Sequence, residues 1–579
     1  MASRNDRTRN DRRGFSPLRS RVAAVPTASV SPARVSVIIG FFFLIALVIA
    51  MRLVYLTVIV GPENAEKAWD TRTAELVLHA RRGTIYDRNG TVLAASIDAK
   101  TIVCNPTEVT DPKGTATQLA AILGGSSADY QEALESPDTS FAYVYQKADM
   151  DVAERVEELA LPGIYLLDDS KRVYPCGQTA GQVVGVCDVD GNGLTGLELY
   201  YDDILKGEDG AMAVERGRDG TPIAGGLHRE KNAVDGQDIV ISIDVEMQEY
   251  LENRLASAVA EIQGKGGNAI VYDGATGEIL AISTYPFLDP GNRDTYEEEA
   301  MGLTSITTAF EPGSIYKTIS MTAVFEELDV TPDTTIFCPA ALPADEYYVT
   351  DAHPRGDEKM SMRTIIMNSS NVGMSLSAKR LGFDKLYQKY VDYNLTEPTG
   401  VDYPGESAGY LTDWSEWSTI QSYNVSFGQG VMVTPLQVTR FYGALVNDGV
   451  ECTPHFLLSK PQSEDEVEEY PTEQVIQNTD AIEPMTSMLK SVVEQGTGTD
   501  AQIEGYEPAG KTGTAEFVGD NGLYRTDAYN ISFVGFLPDT NSELVCFVGV
   551  TDVPGDRITT PAFRDIMTFA INHYEITPE

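Results

Sequence analysis

Three short groups of residues in this 579-residue chain have types and spacings suited to nucleophilic chemistry. The first lies in Glu311-Pro312-Gly313-Ser314-Ile315-Tyr316-Lys317-Thr318-Ile319-Ser320. Pro312 and Gly313 mark a helix start, and Ile315, Ile319 and Ala323 set an apolar stripe on the helix that follows. Residues three apart share a helical face, so Ser314 and Lys317 can bring hydroxyl and amine within hydrogen-bond reach. A serine hydroxyl alone is a poor nucleophile. A neutral lysine beside it, its pKa lowered by partial burial and nearby positive charge, can take the proton. The helix N-terminus would add a positive end near a developing oxyanion. By itself, however, Ser-x-x-Lys is common in long chains, where it is a helix cap followed by a solvated lysine.

Two further groups give the pair a setting. Ser369-Ser370-Asn371 joins predicted helical runs over 360–367 and 374–381, so its polar side chains can sit at a loop tip facing a cleft. Viewed alone it is an ordinary polar turn. Lys511-Thr512-Gly513-Thr514-Ala515-Glu516-Phe517 reads as the start of a strand whose small residues let a ligand backbone approach. Such an edge can bind a peptide by strand addition, with hydroxyls and an ammonium for a C-terminal carboxylate.

These groups need a scaffold. Met247, Leu251 and Leu255 repeat at four and predict an amphipathic helix over 245–263. Apolar strands over 269–272 and 279–284 flank Asp273-Gly274-Ala275-Thr276-Gly277, a longer-loop hairpin. A second pair, 531–536 and 544–550, precedes a last helix over 562–574. Helix and hairpin first, hairpin and helix last, predict an antiparallel sheet built from both ends of a domain, with a helical subdomain inserted between. The site would fall at the junction of the two parts. A polar hinge over 231–237 separates this domain, 238–579, from residues 61–237, which lack convergent catalytic chemistry and read as a pedestal.

Composition places the molecule at a membrane. Residues 1–34 hold eight arginines against Asp6 and Asp11, a net of +6, with no apolar periodicity, and read as a disordered basic tail. Residues 35–60 are almost wholly apolar, and at a rise of about 1.5 Å they make roughly 39 Å of helix, enough to cross about 30 Å of hydrocarbon. Arg52 sits close enough to the far end to snorkel. The run is too long for a signal peptide's apolar region and no small-x-small site closes it. A single-pass anchor is therefore expected, with the basic tail in the cytoplasm and the remaining 519 residues outside. The chain's net charge of −43 leaves −49 beyond Arg34, which argues against nucleic acid as a partner. Six cysteines show no CxxC or Cys/His cluster, and the closest pair is Cys176 with Cys187. Five isolated histidines have no zinc-ligand spacing. Neither a metal nor a cofactor is expected.

In this order Ser-x-x-Lys, Ser-x-Asn and Lys-Thr-Gly resemble the active-site set of the penicillin-recognising serine transferases. Their spacings of 55 and then 142 residues are similar to those of monofunctional, high-molecular-weight class B penicillin-binding proteins. So are Arg82-Gly83-Thr84-Ile85-Tyr86-Asp87-Arg88-Asn89-Gly90 and Gly193-Leu194-Thr195-Gly196-Leu197-Glu198 in the pedestal. Ser426-Phe427-Gly428-Gln429-Gly430, Val433-Thr434-Pro435-Leu436-Gln437 and Gly496-Thr497-Gly498 extend the likeness through the catalytic domain. The resemblance implies an α+β dimerisation-type pedestal. It also implies a β-lactamase/transpeptidase-like α/β domain with a central five-stranded antiparallel sheet and a helical subdomain.

The resemblance also implies roles. Ser314 would attack a stem peptide ending in D-Ala-D-Ala and release the terminal D-alanine, and an amine of a neighbouring peptide would accept the acyl group. Lys317 would be the acylation base, Ser369 a proton relay and Asn371 an orienting group. Lys511, Thr512, Gly513 and Thr514 would form the substrate-binding edge, with the N–H groups of Ser314 and Thr514 as oxyanion hole. β-Lactams would block Ser314. No glycan-polymerising domain is evident, so a multi-spanning polymerase and other divisome proteins are the implied partners, in division or sporulation rather than elongation. A D,D-carboxypeptidase or β-lactamase would need a deacylation base that the sequence does not assign. A penicillin-binding sensor or assembly scaffold fits poorly with a complete set of reactive residues.

Two motifs point elsewhere and are set aside. Gly505-Tyr506-Glu507-Pro508-Ala509-Gly510-Lys511-Thr512 satisfies the phosphate-loop pattern, but a strand is expected after it where that motif needs a helix. Gly191-Asn192-Gly193-Leu194-Thr195-Gly196 matches a dinucleotide pattern without its Rossmann surroundings.

Overall fold

The computed structural model describes residues 32–61, 73–135, 141–215, 229–463, 469–518, 524–555 and 557–579. The basic tail lies, as far as residue 31, outside the described residues. The chain divides into two compact units, one formed by residues 1–76 and 212–229, the other by 77–211 and 230–579.

In the first unit the apolar run forms the helix Pro32–Val54, continued by the π-helical turn Tyr55–Ile59. Over 28 residues it has no buried position, and a stretch of 18 within it reaches a mean hydropathy of 2.8, as befits a segment whose solvent would be lipid. Arg52 lies over the Tyr55 ring, 5.2 Å from its centroid.

In the second unit, the five-stranded sheet expected of residues 238–579 has the order Ile279–Tyr285, Gly266–Asp273, Leu544–Val553, Tyr524–Phe536, Ala509–Val518. Every neighbour is antiparallel, and Ala269 pairs with Val548 while Lys511 pairs with Val534. Side chains alternate between faces along a strand, so the sheet feeds two cores. Ala269, Val271, Phe533, Cys546 and Val548 pack with Met247, Leu251 and Leu255 of the helix Val245–Glu261 and with Phe563, Ile566 and Met567 of the helix Thr560–His573. Ile270, Tyr272, Val534, Val545 and Phe547 face the opposite way, into the helical subdomain. Lys511 and Thr512 lie inside a strand, which disposes of the phosphate-loop reading.

The pedestal centres on the long strand Val92–Cys104, paired with Ala142–Asp149 and Ile164–Val173. Helices Pro112–Leu123, Ser127–Leu134 and Met150–Glu157 cover one face through Leu119, Tyr130, Leu134 and Val156. Just beyond the polar hinge, the strand Ile239–Ile241 pairs with pedestal residues Ile85 and Tyr86 on one side. On the other it pairs with the strand Leu457–Ser459 of the catalytic part. One sheet thus crosses the hinge. The six cysteines are free thiols.

Candidate active site

Ser314 sits in a single 3-10 turn, Gly313–Ile315, that leads straight into the helix Tyr316–Glu327. That helix is buried from Tyr316 to Phe325, so it is a core element rather than an amphipathic surface helix, and its end cannot drift. Gly313 has φ +56°, and a Cβ there would meet the Thr514 carbonyl oxygen at 2.7 Å. Only glycine lets the turn lie this close to the Lys511 strand. Gly513 serves the same contact from the other side, where a Cβ would meet Ile315 Cγ2 at 3.0 Å. The Ser-Phe-Gly-Gln-Gly segment holds the turn from behind. The N–H of Gly313 donates to Gly428 O at 2.9 Å and that of Gly430 to Glu311 Oε1 at 2.8 Å.

Lys317 is fully buried. Its Nζ donates to Ser369 O at 2.6 Å and Asn371 Oδ1 at 2.7 Å, with Ser369 Oγ at 3.2 Å and the Phe427 ring centroid at 5.9 Å. The spacing of three predicts that Lys317 and Ser314 lie within hydrogen-bond reach. Instead the amine is turned onto the Ser369 loop, and the half-buried Ser314 hydroxyl makes no hydrogen bond among the described residues. Burial, then the charge of Lys511, push the Lys317 pKa well below its ordinary value, against an opposing pull from Asp351. A neutral amine keeps two N–H donors and regains a lone pair. In a neutral Lys317 the two short contacts would use the donors and leave the lone pair on the side of Ser369 Oγ, 3.2 Å away.

The loop itself is shorter than expected. The helices Met362–Met367 and Asn371–Leu381 leave only residues 368–370 between them, and Asn371 is the first residue of the second helix. Ser369 has φ +57°, a sparsely populated conformation for a residue with a side chain, and strain of this kind concentrates at functional sites.

Lys511 is also fully buried, third in the strand Ala509–Val518, and reaches Thr512 O at 3.1 Å and Thr512 Oγ1 at 3.3 Å. Burial pushes its pKa down to about 7. Thr512 is half-buried and Thr514 exposed. The strand is the outer member of the sheet, as strand addition requires.

The structure therefore brings together Ser314, Lys317, Ser369, Asn371, Lys511, Thr512, Gly513 and Thr514. It adds residues the motifs did not announce. Thr497 places its Oγ1 2.6 Å from Thr512 Oγ1, and Asp351 accepts hydrogen bonds from both Ser370 Oγ and the Val372 N–H. Gly496-Thr497-Gly498 gave a faint signal for the first. Asp351 gave none, since a lone aspartate 18 residues before Ser369 has no motif around it.

Residues 267–568 match the penicillin binding protein transpeptidase domain, and residues 77–241 the penicillin-binding protein dimerisation domain. Stage V sporulation protein D of Bacillus subtilis is 30% identical over 573 residues, spanning 94% of this chain and 86% of that protein. The probable peptidoglycan D,D-transpeptidase PenA of Neisseria meningitidis is 32% identical over 516 residues, 86% of each chain. A crystal structure of penicillin binding protein 3 from Mycobacterium tuberculosis, complexed with aztreonam, superposes with a TM-score of 0.68 at 26% identity, covering 87% of this chain and 98% of that one. The chain belongs to the class B high-molecular-weight penicillin-binding proteins, related to the transpeptidases of division and sporulation. It is a serine-type D,D-transpeptidase acting on peptidoglycan.

Proposed function

We propose that Ser314 is the nucleophile and Lys317 its base. Ser314 Oγ attacks the carbonyl of the penultimate D-alanine while its proton passes to Lys317 Nζ. Collapse of the tetrahedral adduct breaks the C–N bond, and Ser369 relays a proton to the departing D-alanine amine, leaving an ester on Ser314. Asn371 orients Lys317 and the substrate amide. Lys511 with Thr512 and Thr514 holds the terminal carboxylate, Gly513 lets the strand lie close, and the N–H groups of Ser314 and Thr514 face the oxyanion. An amine from a neighbouring stem peptide then takes the acyl group and frees the serine. β-Lactams imitate the donor and stop at the ester.

The observation that carries this reading is the buried Lys317 amine, one helical turn from Ser314 and bonded to both Ser369 and Asn371. The apolar helix after a basic tail supports a single-pass anchor with its N-terminus cytoplasmic and the catalytic domain outside. Cell-wall synthesis at the septum or in sporulation, beside a multi-spanning glycan polymerase and divisome proteins, is supported by the likeness to a sporulation protein. The test is labelling of the full chain in membranes with a fluorescent penicillin. Covalent label on the wild type and none on Ser314→Ala is expected, and an unlabelled wild type overturns the reading.

A further inference from the structure

Asp351 follows directly on the hairpin formed by Ala341–Ala344 and Tyr347–Thr350. Its side chain is only 11% exposed. Oδ1 accepts the Val372 N–H at 3.0 Å, and both oxygens lie within 3.0 Å of Ser370 Oγ. Oδ2 also takes Arg355 Nε at 2.6 Å. The Ser370 hydroxyl in turn accepts the Gly373 N–H at 2.9 Å, capping the helix that Asn371 begins. Next door, the Thr350 carbonyl accepts Asn371 Nδ2 at 3.1 Å, which fixes the amide so that its oxygen faces Lys317. Residues 350 and 351 therefore grip Ser370, Asn371 and Val372 by side chain or backbone. Ser369, in its strained conformation, is suspended between this clamp and Lys317.

We propose that Asp351 is the positioning residue of the Ser369–Asn371 loop, holding Ser369 O, Ser369 Oγ and Asn371 Oδ1 on Lys317. Asp351 touches no reacting atom and acts through Ser370 and Val372. Arg355 supports it, being itself anchored to the carbonyls of Cys338 and Gly356 at 3.0 and 2.9 Å. The charge of Asp351 has a second effect at the same place. The charged groups that act on Lys317 are Lys511, which disfavours its ammonium, and Asp351, which favours it. The remaining neighbours, Ser369, Asn371 and Phe427, are neutral. Asp351 thus limits how far burial and Lys511 depress the lysine.

This inference rests on the assignment of Lys317 as base, and the test separates the two. Acylation of the full chain by a fluorescent penicillin is followed from pH 5 to 10 for wild type, Asp351→Asn, Ser370→Ala and Ser314→Ala. Asp351→Asn keeps the shape and removes the charge. We expect its acylation rate constant to fall about 10- to 100-fold, since small misplacements of reacting groups cost this much. Its acidic limb should also move to lower pH, because the lysine loses a charge that favours its protonated form. Ser370→Ala cuts one of the two links and leaves the charge, so a fall of about 3- to 10-fold with the limb in place is expected. A merely structural aspartate would lower the melting temperature without moving the limb. Wild-type rates in either variant, or a slow Asp351→Asn whose limb stays put, overturn the proposal. If Asp351→Asn does not fold, Ser370→Ala decides alone. Label persisting on Ser314→Ala would instead overturn the reading of the site.

Discussion

The pedestal and the catalytic cleft both bury cations, and they treat them in opposite ways. Under the pedestal, Glu198 is fully buried between two arginines, Arg82 Nε on one oxygen and Arg172 Nε on the other at 2.7 Å, with Asp202 closing on Arg82 at 2.6 Å. Burial works against the Arg82 charge, but Glu198, Cys187 and Asp202 together more than offset it and hold the guanidinium above its ordinary pKa. In the cleft, Lys317 and Lys511 are as deeply buried, and among the described residues neither forms an ion pair with a carboxylate. Their contacts are carbonyl, amide and hydroxyl oxygens, which satisfy N–H donors without paying for the charge. Both pKa values fall. A charge meant to persist in the free protein is paired; Lys317, the proposed base, is left with neutral acceptors, and Lys511 is left without a carboxylate of its own at the place proposed for that of the substrate.

The sharpest way to break this contrast is at Lys317. Lys317→Met should slow penicillin acylation by about a thousandfold or more, as loss of an activating base does. Its melting temperature should hold or rise, because an unpaired buried amine gives way to an apolar chain of similar length. A large loss of stability would show that Lys317 is paired after all. Glu198→Gln should do the reverse. It leaves Arg82 and Arg172 without their shared counter-charge and should cost about 3–5 kcal/mol in denaturant unfolding. Penicillin labelling of whatever stays folded should survive.

A single buried hydrogen bond gives a smaller effect. Tyr201 of the pedestal donates to Asp402 Oδ2 across the junction, and Asp402 also accepts the N–H groups of Phe456 and Leu457 at 2.7 and 2.8 Å. Tyr201→Phe should cost about 1–2 kcal/mol, since two N–H partners remain. The least effect is a pH slope. With Lys511 at about 7 in the fold and near its ordinary value of 10.5 unfolded, the unfolded chain binds more protons between those limits. Stability should rise with pH across that window and lose the Lys511 share of the slope below about pH 7, where both states are protonated. Lys511→Met should flatten the rise by roughly one proton's worth of slope in chemical denaturation at several pH values. An unchanged slope would place the folded lysine near its ordinary pKa.

Much of the catalytic scaffold was legible because alternation and caps are local. The strand over 269–272 is the middle of Gly266–Asp273, and the helix over 562–574 is Thr560–His573 within two residues at the start and one at the end. The joining of pedestal and catalytic part through Ile239–Ile241 was not legible, since a three-residue strand takes its partners from residues about 150 positions before it and 220 after it. The orientation of Lys317 was also hidden. Spacing put it on the face of Ser314, but a long side chain goes where its strongest acceptors are, and these arrive from 52 and 54 residues away.

The sequence by itself determined which groups can react, in what order they occur, and that an apolar helix of membrane-spanning length precedes them, because residue type and local periodicity are properties of the chain. Only the tertiary structure decided which buried cations are paired, how far each lysine is pushed from its ordinary pKa, and that Asp351 clamps the Ser369 loop. Burial and Coulomb interaction depend on distances between residues far apart in the chain, and those distances exist only once the strands and helices have packed.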